Sequence, residues 1–404
     1  MTGRLSFFYL TIIISSFSAQ ILTAQELSPY ELGGQINVVH VAVPFLTVAP
    51  DSRAGAMGDA GIATDPDVYS MHWNPAKYAF IENDFGVAFS YTPWLRNLIE
   101  DINLAHLSGY KRIDNYQVLA ASLTYFSLGE IIFTSMAGDY AGQHSPNEFA
   151  FDIAYSRMFS DNFSGGIAFR YIRSDLTGGQ YVQGIASRAA QAFAADVAVY
   201  YNNDVRISDL PGQLAFGMNI SNIGNKVTYS DNQNAQFIPI NLGIGSSLKV
   251  NIDPYNSLML ALDLNKLLVP TPPVYHQDLE DEDGNPMIRA GRNPNVSVPL
   301  GMLQSFYDAP GGFREELREI FYSFGMEYWY LNQFAVRGGY YHEHETKGNR
   351  KYFTTGIGLK LNVFALDVAY LIPVYRTNPL ANTLRFSLAF DFDALRRSNR
   401  EMTR

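Results

Sequence analysis

An alternation of period two recurs from residue 84 almost to the C-terminus and constrains this chain more than any other feature. Phe85, Val87, Phe89 and Tyr91 alternate with Gly86, Ala88 and Ser90; Phe149, Phe151, Ile153 and Tyr155 alternate with Ala150, Asp152, Ala154 and Ser156. The pattern returns as Leu258, Leu260, Leu262 and Leu264, as Phe364, Leu366, Val368 and Tyr370, and as Leu384, Phe386, Leu388, Phe390 and Phe392. Successive side chains of a strand point to opposite faces, so each run predicts a strand with one oily face and one small or polar face. With 47% hydrophobic and 17% charged residues in 404, a disordered tail or a coiled coil is excluded.

Fifteen such runs can be counted, near 84–91, 102–112, 116–126, 131–139, 148–159, 163–174, 192–201, 213–220, 240–250, 256–264, 320–330, 333–342, 353–361, 364–372 and 383–392. Bacterial membrane barrels have even strand numbers, and the links between runs identify the odd one. Short links at 113–115, 160–162, 251–255, 331–332 and 362–363 alternate with long ones only if 131–139 is the rising limb of a surface loop. The expectation is therefore an all-β transmembrane outer-membrane barrel of 14 antiparallel strands over 84–392. Short turns and both ends of the wall then lie on the periplasmic rim. The link 202–212, NNDVRISDLPG, reads as a long turn on that short-turn rim and fits less well.

Alternation does not give the sign of the faces. In a soluble all-β protein the oily face would point inward. A closed sheet of fourteen strands is too wide for its own side chains to fill, and the opposite face carries Asp152, Asp196, Asp263, Asp367, Lys249, Lys360, Arg337 and Arg385. These suit a wet lumen better than a sealed core, which predicts that lipid meets the oily face. Tyr91 with Trp94, Tyr200 with Tyr201, Tyr328 to Tyr330 and Tyr340 with Tyr341 suit interfacial girdles.

The N-terminus reads as an export signal at 1–24: Arg4, an apolar run from Leu5 to Ala19, and a small residue, Ala24, before Gln25. Residues 25–83, rich in Gly, Asp and Pro, precede the wall and are expected to form a plug-like segment; 393–404 form a basic tail. A net charge of -10 argues against nucleic acid as a partner. Absence of cysteine removes disulfides, thiolate metal sites and an N-terminal lipidated cysteine.

Neither a catalytic nor a cofactor motif is complete in the sequence, and the metal candidates fail on their spacing. His342 and His344 share a face at a strand end, but a two-histidine site lacks further ligands. The acidic run before Gly284 would place Leu279 and Ala290 at the first and twelfth positions of a calcium loop, which fails that pattern. The sequence predicts no enzyme and no cofactor. The long outer loop 265–319 opens with Pro270, Pro272 and Pro273 and continues with Asp278, Glu280, Asp281, Glu282 and Asp283. It closes on a helical stretch in which Phe313, Leu317, Ile320, Phe321 and Phe324 recur at spacings of three and four. Loops this long are commonly functional; here the prolines form a stiff stem and the acidic run a solvated tip of a partner-binding surface.

The segment PFLTVAPDSRAGAMGDAGIATDPDVYSMHWNPAKYAF (44–80), with YTPWLRNL (91–98), SLTYFSLGEI (122–131), AYSRMF (154–159), RYIRSDL (170–176) and DLNKLLVPTPP (263–273), resembles the PorV family. These are outer-membrane components of the type IX secretion system of Bacteroidota, related to the long-chain fatty-acid transporter (FadL) barrels. The resemblance implies fourteen strands, an N-terminal segment in the lumen, and a non-enzymatic role. Such proteins bind the C-terminal signal of secreted cargo, associate with the translocon barrel SprA and deliver cargo to the attachment complex containing PorU. It also implies that Asp51, Arg53, Met57, Gly58, Trp73, Asn74 and Pro75 belong to the lumen segment, where Asp51 and Arg53 pair with lumen charges and Gly58 and Pro75 shape turns. A second class of function stays open, a FadL-like transporter passing hydrophobic small molecules through the wall.

Overall fold

The computed structural model describes residues 36–95, 101–134, 140–179, 181–182, 185–230, 235–280, 284, 286–375, 380 and 383–392. Fourteen strands close into one antiparallel barrel: Phe85–Pro93, Ile102–Arg112, Gln117–Leu128, Asn147–Ser160, Phe163–Asp175, Ala190–Ile207, Leu210–Gly224, Asn241–Asn251, Asn256–Leu267, Phe321–Tyr330, Phe334–His342, Lys351–Lys360, Phe364–Pro373 and Leu384–Asp391. Each pairs with its neighbours in sequence, and the first pairs with the last from Gly86↔Asp391 to Tyr91↔Phe386. Closure leaves no free edge, the condition for a sheet to sit in hydrocarbon. No described helix is long and apolar enough to cross a membrane.

The alternation resolves as the charges suggested. Phe89, Leu107, Phe151, Ile153, Phe169, Phe193, Phe216, Leu262, Phe324, Ile357 and Phe386 are exposed on the outside, while Ala88, His106, Ser122, Asp152, Asp196, Asp263 and Arg337 on the other face are buried. The run at 131–139 is not part of the wall: Ile131–Thr134 pairs with Tyr140–His144 in a separate two-stranded sheet.

Four expectations are corrected. The link at 202–212 is a tight hairpin, because the strands continue to Ile207 and Leu210 and pair there. Ser208 and Asp209 take φ of 49° and 73° between them, positive at both central positions as a two-residue hairpin turn of this hand requires. Polar residues from Asn202 to Arg206 concealed the strand because it runs past the oily belt into water. The adjacent aromatic pairs do not form girdles as pairs, since neighbours on a strand face opposite ways. Tyr201 is exposed while Tyr200 is buried against Phe80, and Tyr341 is buried against Tyr352.

The helical periodicity after residue 313 is only partly helix. Phe313–Arg318 is helical and the strand starts at Phe321, so Phe324 belongs to a wall face, and Phe313 and Leu317 are exposed rather than packed. Finally, the inward charges do not stand in open water. Asp152, Asp196, Asp263, Arg337 and Arg385 are all buried, covered by the preceding segment.

That segment crosses the barrel from one mouth to the other. Val39, Val41, Ala42, Val43 and Phe45 pack with Ile102, Phe126, Ile238, Leu268 and Val269 at the outer ends of strands. Met71, Tyr78 and Ile81 pack with Tyr110, Val118 and Ala120 at the periplasmic ends. From Val39 on, the segment thus starts at the rim opposite to the one where the wall begins. The signal segment, all of 25–35 and the basic tail lie outside the described residues.

Candidate functional site

Two arrangements combine unusual chemistry: the segment inside the barrel and the long outer loop. The first is built by short helices. Asp51 caps Ser52–Gly55, its Oδ2 accepting from the Ala54 N–H at 2.8 Å, and its Oδ1 accepts from Trp73 Nε1 at 2.7 Å. Arg53, on the same helical turn, forks onto Glu327, with Nε to Oε2 at 3.0 Å and Nη2 to Oε1 at 2.8 Å, and donates from Nη1 to Asp67 at 2.9 Å. Arg337 Nε reaches the same Glu327 at 2.6 Å and its Nη1 reaches Asp367 at 2.6 Å. The result is a series of alternating charge, half-buried at Asp67 and Arg53 and buried at Glu327, Arg337 and Asp367. Buried charge is tolerated only when paired in this way.

Met57 is fully buried. Gly58 has φ of +68°, and a Cβ there would lie 2.6 Å from the Tyr340 backbone nitrogen and 2.8 Å from the Phe324 carbonyl oxygen. Only glycine meets both demands. Its N–H donates to Thr354 Oγ1, which donates in turn to the Ala56 carbonyl, both at 2.8 Å. Asp59 accepts from Tyr352 at 2.5 Å and from Arg385 Nη1 at 2.8 Å. The N–H groups of Gly61 and Ile62 converge on Asp263 Oδ2 at 2.7 and 2.9 Å.

Asn74 caps the turn Pro75–Phe80 by accepting from Ala76, while its Nδ2 donates to the carbonyls of Ile62 and Val199. Pro75 sits where its missing N–H has no partner to lose. Its carbonyl accepts from Ser156 at 2.5 Å. Ser164, Ser247 and Lys249 make further bonds to Ala76, Ala63 and Asp65. These partners come from strands right around the wall and all lie on its inner face, so residues 51–80 run through the lumen.

The sequence-flagged residues are therefore brought together, with one difference: Asp51 binds Ala54 and Trp73 rather than pairing with a wall charge. Asp59, Glu327 and the fully buried Lys77, whose Nζ donates to the Gly61 carbonyl and Thr64, were not singled out. The signal for Glu327 was present: an acid at an inward position of an otherwise apolar strand, the logic that found Asp263.

The outer loop spans from Leu268 to the strand beginning at Phe321. Pro270 is buried and Pro272 and Pro273 are half-buried, so the stem packs on the body. A hairpin follows, Val274–Glu280 with Pro286–Ala290, then helices Val298–Gln304 and Phe313–Arg318. Glu280 is exposed; Asp281, Glu282 and Asp283, with the Asp278 side chain, lie outside the described residues. A network that sequence reading missed holds the base. Lys266 Nζ donates to Glu316 at 3.0 Å and Glu319 at 2.6 Å, and Lys347 Nζ to Glu315 at 2.5 Å and Glu319 at 2.9 Å. Thr271 adds its hydroxyl to Glu319 at 2.7 Å and its N–H to Asp308 at 3.2 Å.

Burial would raise the Glu319 carboxyl, but the charges of Lys266 and Lys347 bring it below its ordinary value. Among the described residues no such cation acts on Asp308. Burial pushes it up to about 6, the Thr271 N–H opposes the shift, and the charges of Glu316 and Glu319 add to it. Above this base the loop turns apolar side chains outward: Leu300, Leu303, Phe306, Tyr307, Phe313 (76% exposed) and Leu317.

A family model described as type IX secretion system protein PorV matches residues 33–274. No curated protein matches the sequence. Among solved structures, the Pseudomonas putida toluene transporter TodX is 10% identical, the match covering 88% of this protein and 99% of that one, with a TM-score of 0.46. The Ralstonia pickettii toluene transporter TbuX is 11% identical over 85% of this protein and 96% of that one, TM-score 0.42. A Pseudomonas aeruginosa FadL homologue is 12% identical over 88% and 99%, TM-score 0.42.

Proposed function

Because the chain belongs to the PorV family of type IX secretion system proteins, we propose that it is a non-enzymatic partner of secretion: it binds the C-terminal signal of secreted cargo and the translocon barrel SprA, and passes cargo to the attachment complex containing PorU. Its place is the outer membrane, with lipid against the oily face of the wall. The family match carries the reading, and it includes the whole lumen segment.

Two structural features support it. The outer loop is anchored at its base by Lys266, Lys347, Glu316 and Glu319, which gives a partner a surface with little ordering left to do. On that surface Phe306, Tyr307 and Phe313 are exposed, aromatic residues of the kind enriched at protein interfaces, and Leu303 is exposed as well. The lumen segment acts as a plug that keeps the barrel closed while cargo is handled at its outer rim.

The transporter reading needs an apolar route. What weighs against it is the lining of the lumen cavities, where Arg53, Asp67, Arg337 and Asp367 face one and Arg170, Asn219, Asn241 and Arg350 another.

Replacing Leu303, Phe306 and Phe313 together by Asp tests the proposal. Secreted proteins carrying the C-terminal signal are expected to accumulate in the periplasm, and the translocon barrel to be lost from pull-downs, while the variant remains heat-modifiable in the outer membrane. Normal secretion with normal copurification would remove this loop from the mechanism.

A further inference from the structure

A cavity of about 110 Å³ lies between the lumen segment and the wall. Leu267, Phe321 and Arg350 stand at its outer end and Trp73, Asp59 and Asn219 deeper in. The Arg350 side chain, just before the strand Lys351–Lys360, is 41% exposed, which sets this end of the cavity toward the outer mouth.

Three polar atoms on its lining have no hydrogen-bond partner among the described residues: Asn219 Oδ1, Asn241 Oδ1 and Ser323 Oγ. Asn219 is 4% and Ser323 1% exposed. The amide orientations are set by their other ends. Asn219 Nδ2 donates to the Trp73 carbonyl at 3.1 Å and Asn241 Nδ2 to Asn265 at 2.9 Å, which leaves both carbonyl oxygens without a partner. Orphaned buried groups of this kind call for an occupant that hydrogen-bonds.

The charged side chains of the lining are already spent. Arg170 is bound to Asp152, Asp196 and Asn222, Arg350 to Glu343, and Asp59 to Arg385 and Tyr352. Neither an anion nor a cation finds a free counter-charge on them. An apolar ligand would bury the three free atoms unpaired and is disfavoured for that reason. Aromatic surface completes the lining: Trp73 and the Tyr341–Tyr352 pair, stacked at 4.8 Å. Since ~10–15 Å³ of such space admits one water, the chamber has room for several waters, or for a small molecule whose hydroxyls take their place.

We propose that this chamber is a binding site, open to the cell exterior, for a neutral hydroxyl-rich molecule of the size of a small polyol or one sugar residue. Hydroxyls donate to the two amide oxygens and exchange hydrogen bonds with Ser323, while the ligand's C–H groups lie on the aromatic lining.

The protein has three tryptophans, Trp73, Trp94 and Trp329, so the variant Trp94→Phe with Trp329→Phe leaves Trp73 as the sole reporter. In an amine-oxide detergent, which has no sugar headgroup, its fluorescence is titrated with glycerol, methyl glucoside and lauric acid. A saturable change is expected with the hydroxylic compounds, weakened tenfold or more by Asn219→Leu with Ser323→Ala. Native mass spectrometry of the unmodified protein with the same compounds gives an independent readout if the tryptophan variants fold poorly. Absence of saturable binding by any hydroxylic compound in both measurements, or binding of lauric acid alone, overturns the proposal. Secretion competence does not enter this test, so its outcome is independent of the loop experiment above.

Discussion

Arg53 and Glu327, 274 positions apart in sequence, share a two-pronged ion pair through Nε and Nη2 inside the barrel. Arg53 is set on the first helical turn after the Asp51 cap, and Glu327 points inward from the tenth wall strand. Glu327 is buried and Arg53 only 12% exposed, and Glu327 also takes Arg337.

Removing one member of a buried pair strands the other, which costs about 3–5 kcal/mol. Arg53→Ala is therefore expected to lower the temperature at which the folded band is lost in a heat-modifiability assay by far more than a substitution on the outer rim does. Arg53→Lys retains the charge but not the fork and should fall between. An unchanged transition in Arg53→Ala would mean that the pair does not hold the segment.

Gly58→Ala places a methyl group against the Tyr340 nitrogen at 2.6 Å while keeping φ at +68°. Strain from a non-glycine residue there is of order 1–3 kcal/mol, before the clash. The segment should lift locally and Arg53 become cleavable by trypsin in intact barrels, where the parent protein resists. Equal resistance would contradict the close approach.

The outer loop should respond to pH through Asp308. Its value in the folded protein, about 6, lies above the ordinary 3.8, so protonation favours the folded loop. That contribution is complete below the ordinary value and disappears as pH rises through about 6. Glu319 is shifted down by Lys266 and Lys347; its contribution is present above the ordinary carboxylate range and is lost as pH falls through its depressed value. Protection of the amides of residues 305–320 from hydrogen exchange should be greatest between these limits and fall toward neutral pH, and Asp308→Asn should abolish the fall. A flat profile in the parent protein would refute the assignment.

Orientation can be read without background because the sequence has no cysteine. His40, exposed at the outer mouth, and Asn115, exposed in the turn joining the second and third strands, lie at opposite ends. His40→Cys should react with a membrane-impermeant maleimide on intact cells, and Asn115→Cys only after the outer membrane is permeabilised. The reverse pattern would invert the barrel.

Much of the wall was legible in the sequence. The inward placement of Asp152, Asp263 and Arg337 follows from a period of two, which each strand encodes locally through the contrast between lipid on one side and polar surroundings on the other, while the strand number and the exclusion of 131–139 follow from the even count and the alternation of short and long links. The hairpin at Ser208–Asp209 escaped because its polar strands leave the membrane, where that contrast ends.

The partners of the inward residues were not legible. Arg53 meets Glu327, and Lys266 meets Glu319, only because closing the sheet fixes which strand ends share a mouth and which inner faces oppose each other. Alternation says that a charge points inward; it carries no record of what stands opposite. The sequence by itself thus determined a lipid-facing cylinder with a charged interior and an expected segment within it, and tertiary structure decided which wall residue each residue of 51–80 meets, since long-range pairing of charges depends on the register of the whole closed sheet rather than on any local pattern.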